Sequence, residues 1–91
     1  MDQNYVYDKD WADVMRRYLS GVKGESGLTY QDISEQLHSR FGITQSATNL
    51  KSKFSKVNFG AQLFIQLMLV MGRRDIDLNH LLEMYKTQKQ S

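Results

Sequence analysis

Apolar residues recur at helical spacing through nearly all of this 91-residue chain, and no stretch alternates apolar with polar residues long enough to make a sheet. With no proline to break a helix, the pattern predicts an all-α domain of about five helices. The first carries Trp11, Val14, Met15, Tyr18, Leu19 and Val22 on one stripe, and Asp8 and Asp10 suit its positive N-terminal end. Gly21, Gly24 and Gly27 make further helix costly, so the chain is expected to turn through KGESG.

Three local signals agree on the start of the second helix: Thr29 as N-cap, Asp32 as its capping-box partner, and Leu28 placed to staple against Ile33. Ile33, Leu37 and Phe41 continue the buried stripe, and Gly42 stands where a left-handed C-cap is wanted. A third helix begins near Thr44 or Ser46, with Ile43, Ala47, Leu50, Phe54 and Val57 facing the core. At 100° per residue, the opposite face then holds Gln45, Thr48, Asn49, Ser52 and Lys56, flanked by Ser46, Lys51 and Lys53.

Asn58 or Gly60 opens a fourth helix, AQLFIQLMLVM, apolar almost all round and therefore expected at the centre of the packing, with Gly72 ending it. Asp75 or Asp77 caps a fifth, carrying Leu78, Leu81, Leu82 and Tyr85 before a fraying KTQKQS tail. The whole is one domain over residues 1–91, with its core in 8–85 and tails at 1–7 and 86–91; Tyr5 and Tyr7 fall outside any stripe. Trp11, Tyr18 and Phe54 are read as core aromatics.

Charge is distributed unevenly. Between Glu35 and Asp75 there is no acidic residue, while Arg40, Lys51, Lys53, Lys56, Arg73 and Arg74 place six positive charges there. The flanking segments are net acidic, so the overall +2 conceals a cationic block. Thr44, Gln45, Ser46, Thr48, Asn49, Ser52 and Ser55 lie among its bases, and short neutral hydrogen-bonders between cations suit a surface that meets phosphates and base edges.

Other chemistries are poorly served. The absence of cysteine leaves no disulfide and fits a reducing cytoplasm. His38 and His80 stand far apart without thiols, so no metal site, cofactor or catalytic residue is expected, and the chain is read as a non-enzyme without a small-molecule substrate. The N-terminus lacks the pattern of a signal peptide, and the apolar stretch Leu63–Met71, broken by Gln66, is too short to span a bilayer, so no membrane partner is expected.

A capped helix, a glycine-containing turn and a basic, amide-rich second helix together have the layout of a helix-turn-helix, whose second helix enters the major groove of double-stranded DNA. In that layout Gln45 and Asn49 suit adenine edges, Ser46, Thr48 and Ser52 suit base or phosphate, and Lys51, Lys53 and Lys56 neutralise phosphates. Helix N-termini near Thr29 and Thr44 offer further phosphate contacts.

The order of elements resembles the lambda-repressor-like (Cro/C1, XRE-type) helix-turn-helix family over residues 27–85. GLTYQDISEQL is similar to its second helix, ITQSATNLKSKFSKVNF to its third helix and following loop, and AQLFIQLMLVMG with DLNHLLEMY to helices four and five. The chain resembles still more closely a bacterial family of unknown function, DUF6471, in its Trp11, Gly27–Tyr30, Asn49–Ser55 and Phe64–Gln66 elements. Two departures from the XRE pattern stand out: Tyr30 replaces the usual Gln, which shifts a phosphate-clamping amide to Gln31, and HSRFGI lengthens the turn.

The resemblance implies a five-helix domain acting as a sequence-specific DNA-binding regulator, a repressor by the pattern of the family, that works as a homodimer. Leu78, Leu81, Leu82 and Tyr85 either supply the twofold interface or close the monomer core. A reading from another class is a protein-interaction module, antitoxin-like or a phage-encoded inhibitor, whose cationic face meets an acidic protein.

Overall fold

The computed structural model describes residues 8–90. These form α1 (Lys9–Ser26), α2 (Tyr30–Phe41), α3 (Ala47–Lys56), α4 (Ala61–Val70) and α5 (Leu78–Gln90), with no strand among the described residues. The N-terminal tail with Tyr5 and Tyr7, and Ser91, lie outside them.

Asp8 caps α1, its carboxylate accepting from the backbone N–H groups of Asp10 at 2.9 Å and Trp11 at 3.3 Å. The helix then runs eighteen residues, straight through Gly21 and Gly24, and stops at Gly27 in the left-handed conformation at φ 74°. This corrects the expected turn at KGESG. Each helical glycine costs about 1 kcal/mol relative to alanine. Tyr18, Leu19 and Val22 are buried along the same helix, and their packing outweighs that cost.

The start of α2 follows its local signals. Asp32 N–H donates to Thr29 Oγ1 at 3.0 Å and Thr29 N–H donates to Asp32 Oδ2 at 2.9 Å, closing the capping box. Those bonds to the Thr29 backbone and side chain hold the Asp32 carboxyl below its ordinary value. Leu28 packs against the cluster that contains Ile33. At the far end Gly42 adopts φ 69°, its N–H reaching His38 O, and the N–H of Ile43 reaches Leu37 O.

Val14, Leu19, Ile33, Leu37, Leu50 and Leu67, drawn from the first four helices, are the largest wholly buried side chains. The packing runs through α1 and α2: α1 meets α3 and α5, while α2 meets α3 and α4. The expectation that α4 is central is therefore overturned. Its all-round apolar composition does not mean all-round burial, because Ile65 is 55% exposed and only Leu67, Met68 and Val70 are sealed within the helix.

Among the described residues α5 rests on α1. Leu81 is buried, the Tyr85 ring stacks on Trp11 with centroids 4.2 Å apart, and Gln88 and Lys89 meet Asp10. The supposed tail from Lys86 onward is therefore helical through Gln90, since its polar residues have partners on α1. Tyr18 and Phe54 are core aromatics as expected, whereas Trp11, at 36% exposure, is half of a surface stack.

Candidate nucleic-acid interface

The helix α3 is short, and what matters is how firmly its inner face is held. Leu50 and Phe54 are buried, while Ala47, Lys53 and Val57 are half-covered. Ser46 caps its start, its Oγ accepting from Asn49 N–H at 3.0 Å. Three ties fix it to its neighbours. Ser34 Oγ on α2 donates to Gln45 O just before the helix. The Tyr30 ring meets Phe54 edge-on at 5.4 Å. Arg16 Nε on α1 donates to Ser55 O at 3.0 Å. The first two draw α3 across the N-terminal half of α2, and the third secures its C-terminal turn to α1.

What this fixed helix shows to solvent is Thr48, Asn49, Lys51, Ser52, Ser55 and Lys56, with Lys53 at the margin. Among the described residues none of the three lysines has a carboxylate partner, and the side chains of Thr48, Asn49 and Ser52 make no internal hydrogen bond. A row of unsatisfied donors and acceptors on a rigid support can be met by water or by a ligand that supplies matching groups.

Two expected site residues stand elsewhere. Gln45 precedes the Ser46 cap, so it lies in the turn and not on the outer face of α3; it is half-buried, and its Oε1 is enclosed without a partner among the described residues. Thr44 is exposed in the same turn and does not begin the helix. The error has one cause: the periodicity was extended two residues beyond the true cap, and a residue before the cap no longer obeys the 100° rule. Thr29 and Gln31 sit exposed in the first turn of α2, with Thr29 engaged in its capping box. Gln31 Nε2 donates to Glu35 Oε2 at 3.1 Å, so the amide that resemblance makes a phosphate clamp is already bonded to an acid.

The cationic block is also thinner on this surface than its sequence suggests. Arg40 donates to Leu69 O at 3.3 Å and lies over the Phe41 ring, and Arg73 pairs with Glu25. Both arginines brace the fold, leaving α3 as the place where unpaired lysines concentrate. Arg16, absent from the expected site, is the addition the structure makes; its partner lies 39 residues away, and no local pattern carries that signal.

A family model described as a domain of unknown function, DUF6471, matches residues 11–76. The chain belongs to that family. The match runs from Trp11 through α4 to the segment before α5, so the terminal helix lies outside it. The DUF6471 elements fall on structural joints: Gly27–Tyr30 spans the end of α1 and the cap of α2, Asn49–Ser55 makes up most of α3, and Phe64–Gln66 lies on α4. No curated protein and no solved structure gives a significant match to the chain.

His38 and His80 are exposed, and no group of three or more His, Cys, Asp or Glu side chains that could hold a metal ion occurs among the described residues. No helix there is long and apolar enough to cross a membrane.

Proposed function

We propose that this DUF6471 domain binds double-stranded DNA in a sequence-specific way, with α3 in the major groove, and acts as a transcriptional regulator of the lambda-repressor-like type, a repressor by that resemblance. The observation that carries the reading is the outer face of α3: three lysines without carboxylate partners interleaved with Thr48, Asn49 and Ser52, on a helix whose other face is locked into the core. Lysines among short hydrogen-bonding side chains serve both requirements of groove binding, since the cations neutralise phosphates and the neutral groups address base edges.

A helix of ten residues reads few base pairs, so a homodimer on a twofold site supports the affinity such a regulator needs. Of the four residues considered for that interface, Leu81 and Tyr85 are used within the monomer, while Leu78 at 72% and Leu82 at 40% exposure stay open. Leu78 borders Ile65 across an apolar cleft, so the interface is drawn on Ile65, Leu78 and Leu82.

The test is an electrophoretic shift of random and selected duplexes over a salt series. DNA binding gives an affinity that falls steeply with salt and a subset of sequences that is enriched on selection. Salt-independent binding, or none, removes the proposal and leaves the cationic face to an acidic protein.

A further inference from the structure

We propose that Arg16 on α1 is a positioning residue that fixes the C-terminal turn of α3, and with it Ser52, Ser55 and Lys56, at the angle where that face meets its ligand. The inference builds on the reading of α3 as the DNA-facing helix. Its basis is independent of DNA.

The last carbonyls of a helix have no acceptor role within it and must find partners elsewhere. In α3 the Lys53 carbonyl is met by the N–H groups of Val57 and Asn58, the latter at 3.2 Å. The Ser55 carbonyl is met by Arg16 Nε, which places a guanidinium at the negative end of the helix dipole. Arg16 is held in turn by Asp13, one turn earlier on α1, and Asp13 also receives Gln88 of α5 at 3.4 Å. The brace is thus preset from α1 and does not depend on α3 to orient it.

The turn being held is strained. Val57, at φ 51°, is the only non-glycine residue with positive φ among the described residues, and it is β-branched, the side-chain type least suited to that region. Such strain persists where the surroundings over-determine the backbone. The first half of α3 has its own anchors in the Ser46 cap and buried Leu50. Loss of Arg16 therefore releases the second half selectively: Val57 relaxes, the last turn frays, and Ser52, Ser55 and Lys56 move while Thr48 and Asn49 stay.

The experiment combines residue-resolved amide exchange with duplex binding over a salt series, on the full chain carrying Arg16→Gln, Arg16→Lys, or Arg16→Gln with Val57→Gly. In Arg16→Gln, amides at 57 and 58 should exchange about tenfold faster while those at 50 and 54 keep their protection, the pattern of local and not global opening. Affinity for the selected duplex should fall about fivefold to tenfold with the salt slope unchanged. Arg16→Lys should behave like Arg16→Gln, because an ammonium lacks the fork that serves Asp13 and Ser55 together; it also provides the test if Arg16→Gln does not fold. Relief of the strain by Val57→Gly should restore protection at 58.

A uniform rise in exchange, unchanged exchange at the α3 end, or no rescue by Val57→Gly overturns the proposal. So does a salt slope lowered by about 0.9, which would make Arg16 a phosphate contact. If the wild type binds no duplex, the DNA reading fails, while the exchange measurements still decide whether Arg16 holds the helix.

Discussion

Asn49 is the residue on which sequence discrimination rests, now that Gln45 is withdrawn into the turn. It sits in the first turn of α3, exposed, with its backbone N–H bonded to the Ser46 cap and its amide uncommitted. Replacing Asn49 by Ala is expected to cost about 1 to 3 kcal/mol on the selected site and little on random duplex. Equal losses on both in a competition titration would reduce it to a backbone contact. Gln45→Ala should affect binding less than Asn49→Ala does.

Thr29 and Asp32 form a second residue-scale unit whose expected effect is on stability. Thr29→Ala should destabilise the fold by about 1 kcal/mol, seen as a lower denaturant midpoint. The pH dependence follows from the lowered Asp32 and Asp10 carboxyls, Asp32 held by Thr29, and Asp10 by Gln88 and then Lys89. A carboxyl depressed on folding stabilises above its unfolded value, 3.8 here, and that contribution disappears as pH falls through the lower folded value. The thermal midpoint should hold from neutral pH to about 5 and decline below 4. In Thr29→Ala the decline should be shallower, because part of the Asp32 depression is gone. The capping box was legible because all its signals lie within four residues of chain. Gln45 was misplaced because two candidate caps, Thr44 and Ser46, stand two residues apart and only the structure chooses between them.

At the scale of elements, α1 and α3 make opposite demands on prediction. The glycines of α1 suggested a break, yet Gly21 and Gly24 are helical and a Cβ at either would meet no atom within 4 Å. Alanine at either position should therefore stabilise the protein by about 0.5 to 1 kcal/mol, by removing backbone entropy from the unfolded chain without a clash. A destabilised Gly24→Ala variant in chemical denaturation would show that this face of α1 is covered in solution. Helix α3, by contrast, was legible in its core face, since 4-3-4-3 spacing leaves one solution. Its outer lysines make the element-scale prediction. Changing Lys51, Lys53 and Lys56 together to Gln should weaken all duplexes alike and flatten the salt slope by about two to three units, near 0.9 per phosphate contact. An unchanged slope would take the helix out of the groove.

On the scale of the whole molecule, what the sequence could not convey is how distant elements share work. Arg40 and Arg73 read as part of a binding surface, but one braces α4 and the other pairs with Glu25. The tail read as frayed is helical because Gln88 and Lys89 meet Asp10, and the resulting pair also raises the Lys89 ammonium above its ordinary value. That contribution is present at neutral pH and is lost only as pH rises through the raised value, beyond 10.5. Contacts spanning nearly the full chain leave no local trace.

The same long-range packing decides what α5 has left for a second subunit. Leu81 is buried and Tyr85 is stacked, so a charge at Leu81 should unfold the monomer, at a cost of several kcal/mol for a buried ion without a partner. Leu78 and Leu82 point outward on successive turns, and Ile65 of α4 shares the cleft that Leu78 borders. If this edge makes the twofold contact, Leu78→Glu and Leu82→Glu should each stay folded, sediment as monomers, and lose affinity for a paired site while keeping affinity for a half-site. The recognition helices of the wild-type dimer should then stand about 34 Å apart, one turn of DNA, so that inserting five base pairs between half-sites abolishes cooperative binding. A wild type that sediments as a monomer at high concentration and also binds DNA as a monomer removes the dimer, and would leave the open edge of α5 as a feature of the monomer surface.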